Sequence, residues 1–174
     1  MRPAILSLCL FIILVFEGVA LELLPERIIN ANIIVVPHWI LMFLIVFTMF
    51  YETKRVFLFV IYATAFGLLV DIVYTDIIGV YMFAYALSIY AVTLMTRLLQ
   101  ENVVMAVIMS TAALLITEGV ISTIYTLLGI TKVYWLDNLS MRLIPTIIAN
   151  IVLLLIIYPL LKVVITRLNA NQPN

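Results

Sequence analysis

Gly67-Leu-Leu-Val-Asp71-Ile-Val-Tyr-Thr-Asp76-Ile-Ile-Gly79 sits inside a nearly unbroken apolar span from Val56 to Leu94 whose charged residues are its two aspartates. One straight helix of that length would run ~58 Å, about twice a hydrocarbon core of ~30 Å. The span therefore folds back on itself. The turn chemistry available for the reversal is Tyr74-Thr75-Asp76, followed by Gly79. Two membrane helices thus meet at a tight turn, with Asp71 one helical turn before it. An ionisable side chain at that depth is costly and marks a packing or functional site. Asp76 reads as a turn former.

The bulk composition supports a membrane setting. Of 174 residues, 67% are hydrophobic and 10% charged, and mean hydropathy is +1.30. Soluble domains average about 45–50% apolar and about 25% charged. Long unbroken apolar segments indicate helices, because barrel strands are short and alternate in polarity. Nine basic and nine acidic residues cancel, so no global attraction to nucleic acid is implied. A lone Cys9 excludes an internal disulfide, and a lone His38 excludes a multi-histidine metal site. The chain carries no Gly-rich phosphate loop, GxSxG elbow or HExxH, so no cofactor or metal is expected.

Six apolar segments are expected to span, at about 4–21, 33–50, 56–73, 78–94, 103–127 and 141–158, in one membrane domain over 1–174. Gly18-Val19-Ala20 resembles a signal cleavage site, but the long apolar run and Glu17 within that region favour a retained helix. Short connectors favour a compact antiparallel bundle. With the N-terminus inside, Arg2, Lys54, Arg55, Arg97, Lys162 and Arg167 face the cytoplasm, against Arg27, Lys132 and Arg142 outside. That asymmetry favours both termini in the cytoplasm. Tyr134-Trp135 read as interfacial belt residues. His38, just after Pro37, reads the same way. Pro159 is expected to end or kink segment six, leaving 160–168 along the inner surface.

The rise per residue puts Asp71, Glu118 and Glu17 at one depth, ~20–22 Å from the inner face, in an outer-leaflet polar region. Glu17 alone also suits snorkelling to the interface, and Glu118 also suits a protonated side chain bonded to a neighbouring helix. On segment six, Arg142, Thr146 and Asn150 recur every four residues and share one face. A negative charge is disfavoured at a helix C-terminus and a positive one at an N-terminus, which describes Asp71 and Arg142 respectively. Arg142 is therefore expected to pair with Asp71, Glu118 or Glu17. Ala63-xxx-Gly67, Ala84-xxx-Ser88 and Ala106-xxx-Ser110 supply small-residue pairs that let helices approach closely.

Six spans in about 170 residues, with the glycine–aspartate–glycine hairpin at Gly67, Asp71 and Gly79, resemble the MreD family of bacterial rod shape-determining proteins. That resemblance implies a non-enzymatic, multi-pass component of the cell membrane elongation machinery. Its implied partners are MreC, the RodA polymerase, a class B penicillin-binding transpeptidase and, indirectly, MreB filaments, within membrane lipid and without nucleic acid. Gly67, Asp71, Gly79 and Ala63 are then the expected hairpin and docking residues. The family also resembles the S-components of energy-coupling-factor vitamin transporters. A solute-binding subunit, with Glu17, Glu118, Arg142, Thr146 and Asn150 around a pocket, is therefore the alternative expectation. Segment one lacks a repeated alanine stripe, which favours the scaffold. An intramembrane aspartyl protease would need two facing aspartates, and Asp71 is the one aspartate well inside a span.

Overall fold

The computed structural model describes residues 3–22, 34–51, 57–96, 102–130 and 139–170. Among them are six α-helices: α1 (Pro3–Glu22), α2 (Trp39–Phe50), α3 (Leu58–Tyr74), α4 (Val80–Met95), α5 (Val103–Leu127) and α6 (Ile144–Ala170). A π-helical turn, Leu139–Leu143, leads into α6. Two helical stretches, Val103–Leu127 and Met141–Ala170, are long and apolar enough to cross a membrane, and the other four are shorter apolar helices. The connectors that hold Arg2, Arg27, Lys54, Arg55, Arg97, Lys132 and Tyr134-Trp135 lie outside the described residues.

The bundle is built around α2. Its sequence, WILMFLIVFTMF, is apolar all round, and a helix of that kind belongs in a protein interior. All its residues except Trp39 and Thr48 are buried. It packs against α1, α3, α4, α5 and α6. Phe43 and Phe47 stack at 4.6 Å, and Phe59 of α3 lies 6.2 Å from Phe47. Helices α3 and α4 form the tight hairpin, with α5 laid against α4. At the second contact Ser88 Oγ meets Thr117 Oγ1 at 2.7 Å and donates to the Ala113 carbonyl at 3.2 Å. Ala84, Ser88, Ala106 and Ser110 are all fully buried. Leu6, Leu10 and Leu14 bury one face of α1, so this segment is a packed member of the bundle.

Two expectations are corrected here. Segment two is not helical over 34–38: these residues have no regular secondary structure, and α2 begins at Trp39. Pro37 disfavours helical geometry at Val36, which explains the late start. Segment six does not stop at Pro159, and 160–168 is no separate surface segment. The helix runs through Pro159 to Ala170. A proline removes one N–H, and packing of the following turns offsets that loss. Ile165 is buried, and Asn169 Nδ2 donates to the Phe50 carbonyl at 2.9 Å, closing the C-terminal end of α2.

Candidate functional site

The hairpin is held by one carboxylate. Asp71 is fully buried, and its Oδ2 accepts the N–H of Gly79 at 2.9 Å and of Met82 at 3.0 Å. Its Oδ1 accepts the Tyr81 N–H at 2.9 Å. The first N–H groups of a helix lack intrahelical partners and carry positive partial charge. Asp71 therefore caps α4 from the last turn of α3. The compensation for its charge comes from this helix N-terminus, and its hydrogen-bond partners do not include Arg142. Thr75 closes the turn, its Oγ1 donating to the Asp71 and Ile77 carbonyls at 3.0 Å each.

The two glycines act differently. Gly79 has φ +105°, a left-handed conformation that L side chains rarely adopt, and a Cβ there would meet nothing within 4 Å. Gly67 is required for space. A Cβ there would stand 2.7 Å from the Tyr81 carbonyl oxygen and 2.8 Å from Met82 Cα. Ala63, one turn earlier, is fully buried on the same face. Close approach at Gly67 brings the α4 N-terminus within reach of Asp71.

A second polar group surrounds the start of α2. Non-helical backbone within an apolar bundle needs partners for its buried N–H and C=O groups. The α6 stripe supplies them. Thr146 Oγ1 accepts the Val36 N–H at 3.1 Å, Asn150 Oδ1 accepts the His38 N–H at 2.7 Å, and Asn150 Nδ2 donates to the Val36 carbonyl at 2.9 Å. The Ile34 N–H adds a bond to the Met141 carbonyl at 2.8 Å. Glu17, 3% exposed, reaches the first turn of α2, where its Oε2 accepts the Ile40 N–H at 3.2 Å. Its carboxylate is thus turned into the bundle, which corrects the snorkelling alternative.

Arg142 pairs with Glu118, its Nε donating to Oε2 at 2.8 Å. The other carboxylate oxygen lies 2.9 Å from His38 Nε2, and His38 Nδ1 lies 2.9 Å from the Tyr85 hydroxyl. A carboxylate only accepts, so Nε2 carries a hydrogen. His38 is fully buried at the centre of this chain of contacts, against its expected interfacial position. Its place just after Pro37 was the available signal, and its partner on α5 had none. Glu17, Glu118, Arg142, Thr146 and Asn150 thus gather around 34–40, while Asp71 serves the neighbouring hairpin.

A cavity of about 610 Å³ opens between the two groups, bordered by Glu17, Tyr74, Tyr81, Tyr125, Asp76 and Arg142. Val36, Pro37, Val70 and Ile77 form its apolar wall. Tyr74 spans towards α1, where its hydroxyl donates to the Leu14 carbonyl at 2.6 Å, and its ring fills the space beside Gly18. Among the described residues, no group of three or more His, Cys, Asp or Glu is placed to hold a metal ion.

The chain matches the family of rod shape-determining protein MreD over residues 2–167. It is 25% identical to the rod shape-determining protein MreD of Bacillus subtilis strain 168 over 157 residues, which cover 90% of this chain and 90% of that protein. No solved structure matches it. With a helical bundle that includes two candidate membrane-spanning helices, and with this match over nearly its whole length, the chain belongs to the MreD family of rod shape-determining proteins.

Proposed function

We propose that this protein is a non-enzymatic scaffold of the elongation machinery that docks the membrane segment of MreC and so supports peptidoglycan synthesis. One observation carries the reading: Asp71 in the hairpin and Glu17, His38, Glu118, Thr146 and Asn150 around α2 are spent on the bundle's own backbone and on one another. Asp71 binds three N–H groups, Thr146 and Asn150 bind residues 36 and 38, and Glu118 binds Arg142 and His38. Groups so engaged fix a shape, and Tyr85 and His38, though within hydrogen-bond reach of each other, are fully buried and do not line the cavity. The outward faces are apolar, with Leu8, Phe11 and Phe16 on α1 and Ile148, Val152 and Ile156 on α6 all exposed. Helices associate within lipid through packing of such faces.

In this reading residues 1–174 form one six-span domain of the cytoplasmic membrane, with both termini inside. Gly67, Asp71, Gly79 and Ala63 fix the α3–α4 hairpin on which docking depends. MreC then presents its external region to RodA and the transpeptidase, and MreB filaments couple from the cytoplasm. The test is affinity purification of the tagged chain from native membranes. Recovery of MreC supports the scaffold, and a folded chain recovered without it refutes docking.

The cavity favours a second reading, a solute-binding subunit like the S-components, with Arg142 and Glu17 at its border. That reading requires association with an energising ATPase module and stabilisation of the isolated chain by a solute.

A further inference from the structure

The cavity retains polar groups that the fold does not use. Arg142 spends its Nε on Glu118, and its side chain remains 25% exposed. Among the described residues its two Nη groups take no hydrogen-bond partner, which leaves the paired donors of a guanidinium fork directed at other acceptors. The Tyr81 ring is nine-tenths buried, in contact with His38 and Tyr85, yet its hydroxyl has no hydrogen-bond partner among the described residues. A hydroxyl without a protein partner that faces a cavity is satisfied by what enters it. At the same cavity Asp76 is exposed and likewise unpaired, and Glu17 borders it with a carboxylate already bonded to α2.

The charges decide the class of ligand. Arg142 is neutralised by Glu118, and the exposed Asp76 brings a further negative charge to the border of the space. A bare anion would meet repulsion from Asp76, and a bare cation would leave the guanidinium fork and the Tyr81 hydroxyl unused. A molecule bearing both charges satisfies all of them. The volume of about 610 Å³ falls within the ~300–1,000 Å³ of small-ligand sites, and the wall of Val36, Pro37, Val70 and Ile77 accepts an apolar body.

We propose that this cavity binds a zwitterion of the phosphoethanolamine type. Its phosphate takes the Arg142 Nη groups and the Tyr81 hydroxyl, and its ammonium faces Asp76. The same chemistry is offered by a lipid headgroup and by a free solute. The site stands on its own donors and acceptors and is independent of whether MreC docks.

The full chain is reconstituted in nanodiscs of phosphatidylethanolamine with phosphatidylglycerol, and in nanodiscs of phosphatidylcholine with phosphatidylglycerol. Retained lipid is counted by native mass spectrometry. In detergent, the unfolding midpoint is followed with added O-phosphoethanolamine or inorganic phosphate. Retention of phosphatidylethanolamine over phosphatidylcholine, whose methylated nitrogen donates no hydrogen bond, identifies a lipid ligand. A midpoint raised by O-phosphoethanolamine more than by phosphate, without lipid retention, identifies a free zwitterion. Tyr81→Phe and Asp76→Asn each weaken the binding roughly tenfold, the equivalent of one charge-assisted hydrogen bond, while the ligand-free midpoint stays unchanged. No lipid preference and no midpoint shift would overturn the proposal. So would equal shifts with phosphate and O-phosphoethanolamine, or binding undiminished in either variant.

Discussion

Replacing Asp71 with asparagine removes one negative charge and converts one acceptor oxygen into a donor, with almost no change in volume. In the better amide orientation the remaining oxygen takes the place of Oδ2 and keeps the Gly79 and Met82 N–H bonds, 2.9 and 3.0 Å in the native chain. The new NH2 then faces the Tyr81 N–H, donor against donor, where Oδ1 accepted at 2.9 Å. A buried donor left without a partner costs about 1–3 kcal/mol. The lost charge at the N-terminus of α4 costs about 0.3–1 kcal/mol more. Asp71→Asn is therefore expected to destabilise the fold by about 1–4 kcal/mol. The assay is reversible unfolding in mixed micelles, followed by circular dichroism, with hydrogen exchange reporting amide protection at 79, 81 and 82. A change below about 0.5 kcal/mol, the scatter of neutral surface substitutions, with protection intact at all three amides, would refute the cap.

Gly67→Ala inserts a methyl group against α4 backbone and should cost about 1–3 kcal/mol of micellar stability, as overpacking does. Gly119→Ala, which meets nothing within 4 Å, should instead gain about 0.5–1 kcal/mol from helix propensity. Asn150→Leu orphans the His38 N–H and the Val36 carbonyl, and thermal unfolding should register a loss of about 2–5 kcal/mol. Glu118→Gln leaves Arg142 without its anion and should cost about 3 kcal/mol, most of it recovered in the Glu118→Gln/Arg142→Gln double variant of a mutant cycle.

Much of the bundle was legible in the sequence because hydrocarbon length constrains apolar runs. Segment five, read at 103–127, is helical over Val103–Leu127. The reversal between Asp71 and Gly79 followed from a span too long to cross once and from the turn residues within it. Residues 34–38 fall outside the helix expected of segment two, a boundary missed because hydropathy does not distinguish helical from irregular backbone. Pro37 held the missing information, and its weight emerges only beside Thr146 and Asn150, more than a hundred positions away in sequence. The four-residue spacing of Arg142, Thr146 and Asn150 identified a shared polar face, but spacing carries no information about the partner. Two of the three bind the non-helical backbone of 36 and 38 instead of acids. His38 was misplaced for the same reason, since its partners lie on α4 and α5. The tail beyond Pro159 was misread because local propensity was outweighed by tertiary contacts of Ile165 and Asn169.

The central claim is that the buried acids hold the bundle in the shape that captures MreC. Its most direct test is the amount of MreC recovered per folded copy from native membranes, compared between the natural chain and Asp71→Asn. The account predicts capture by the natural chain and a clear loss in the variant, tracking lost amide protection at 79, 81 and 82. A well-folded natural chain without MreC, or equal capture by a variant whose α4 amides have opened, would contradict it.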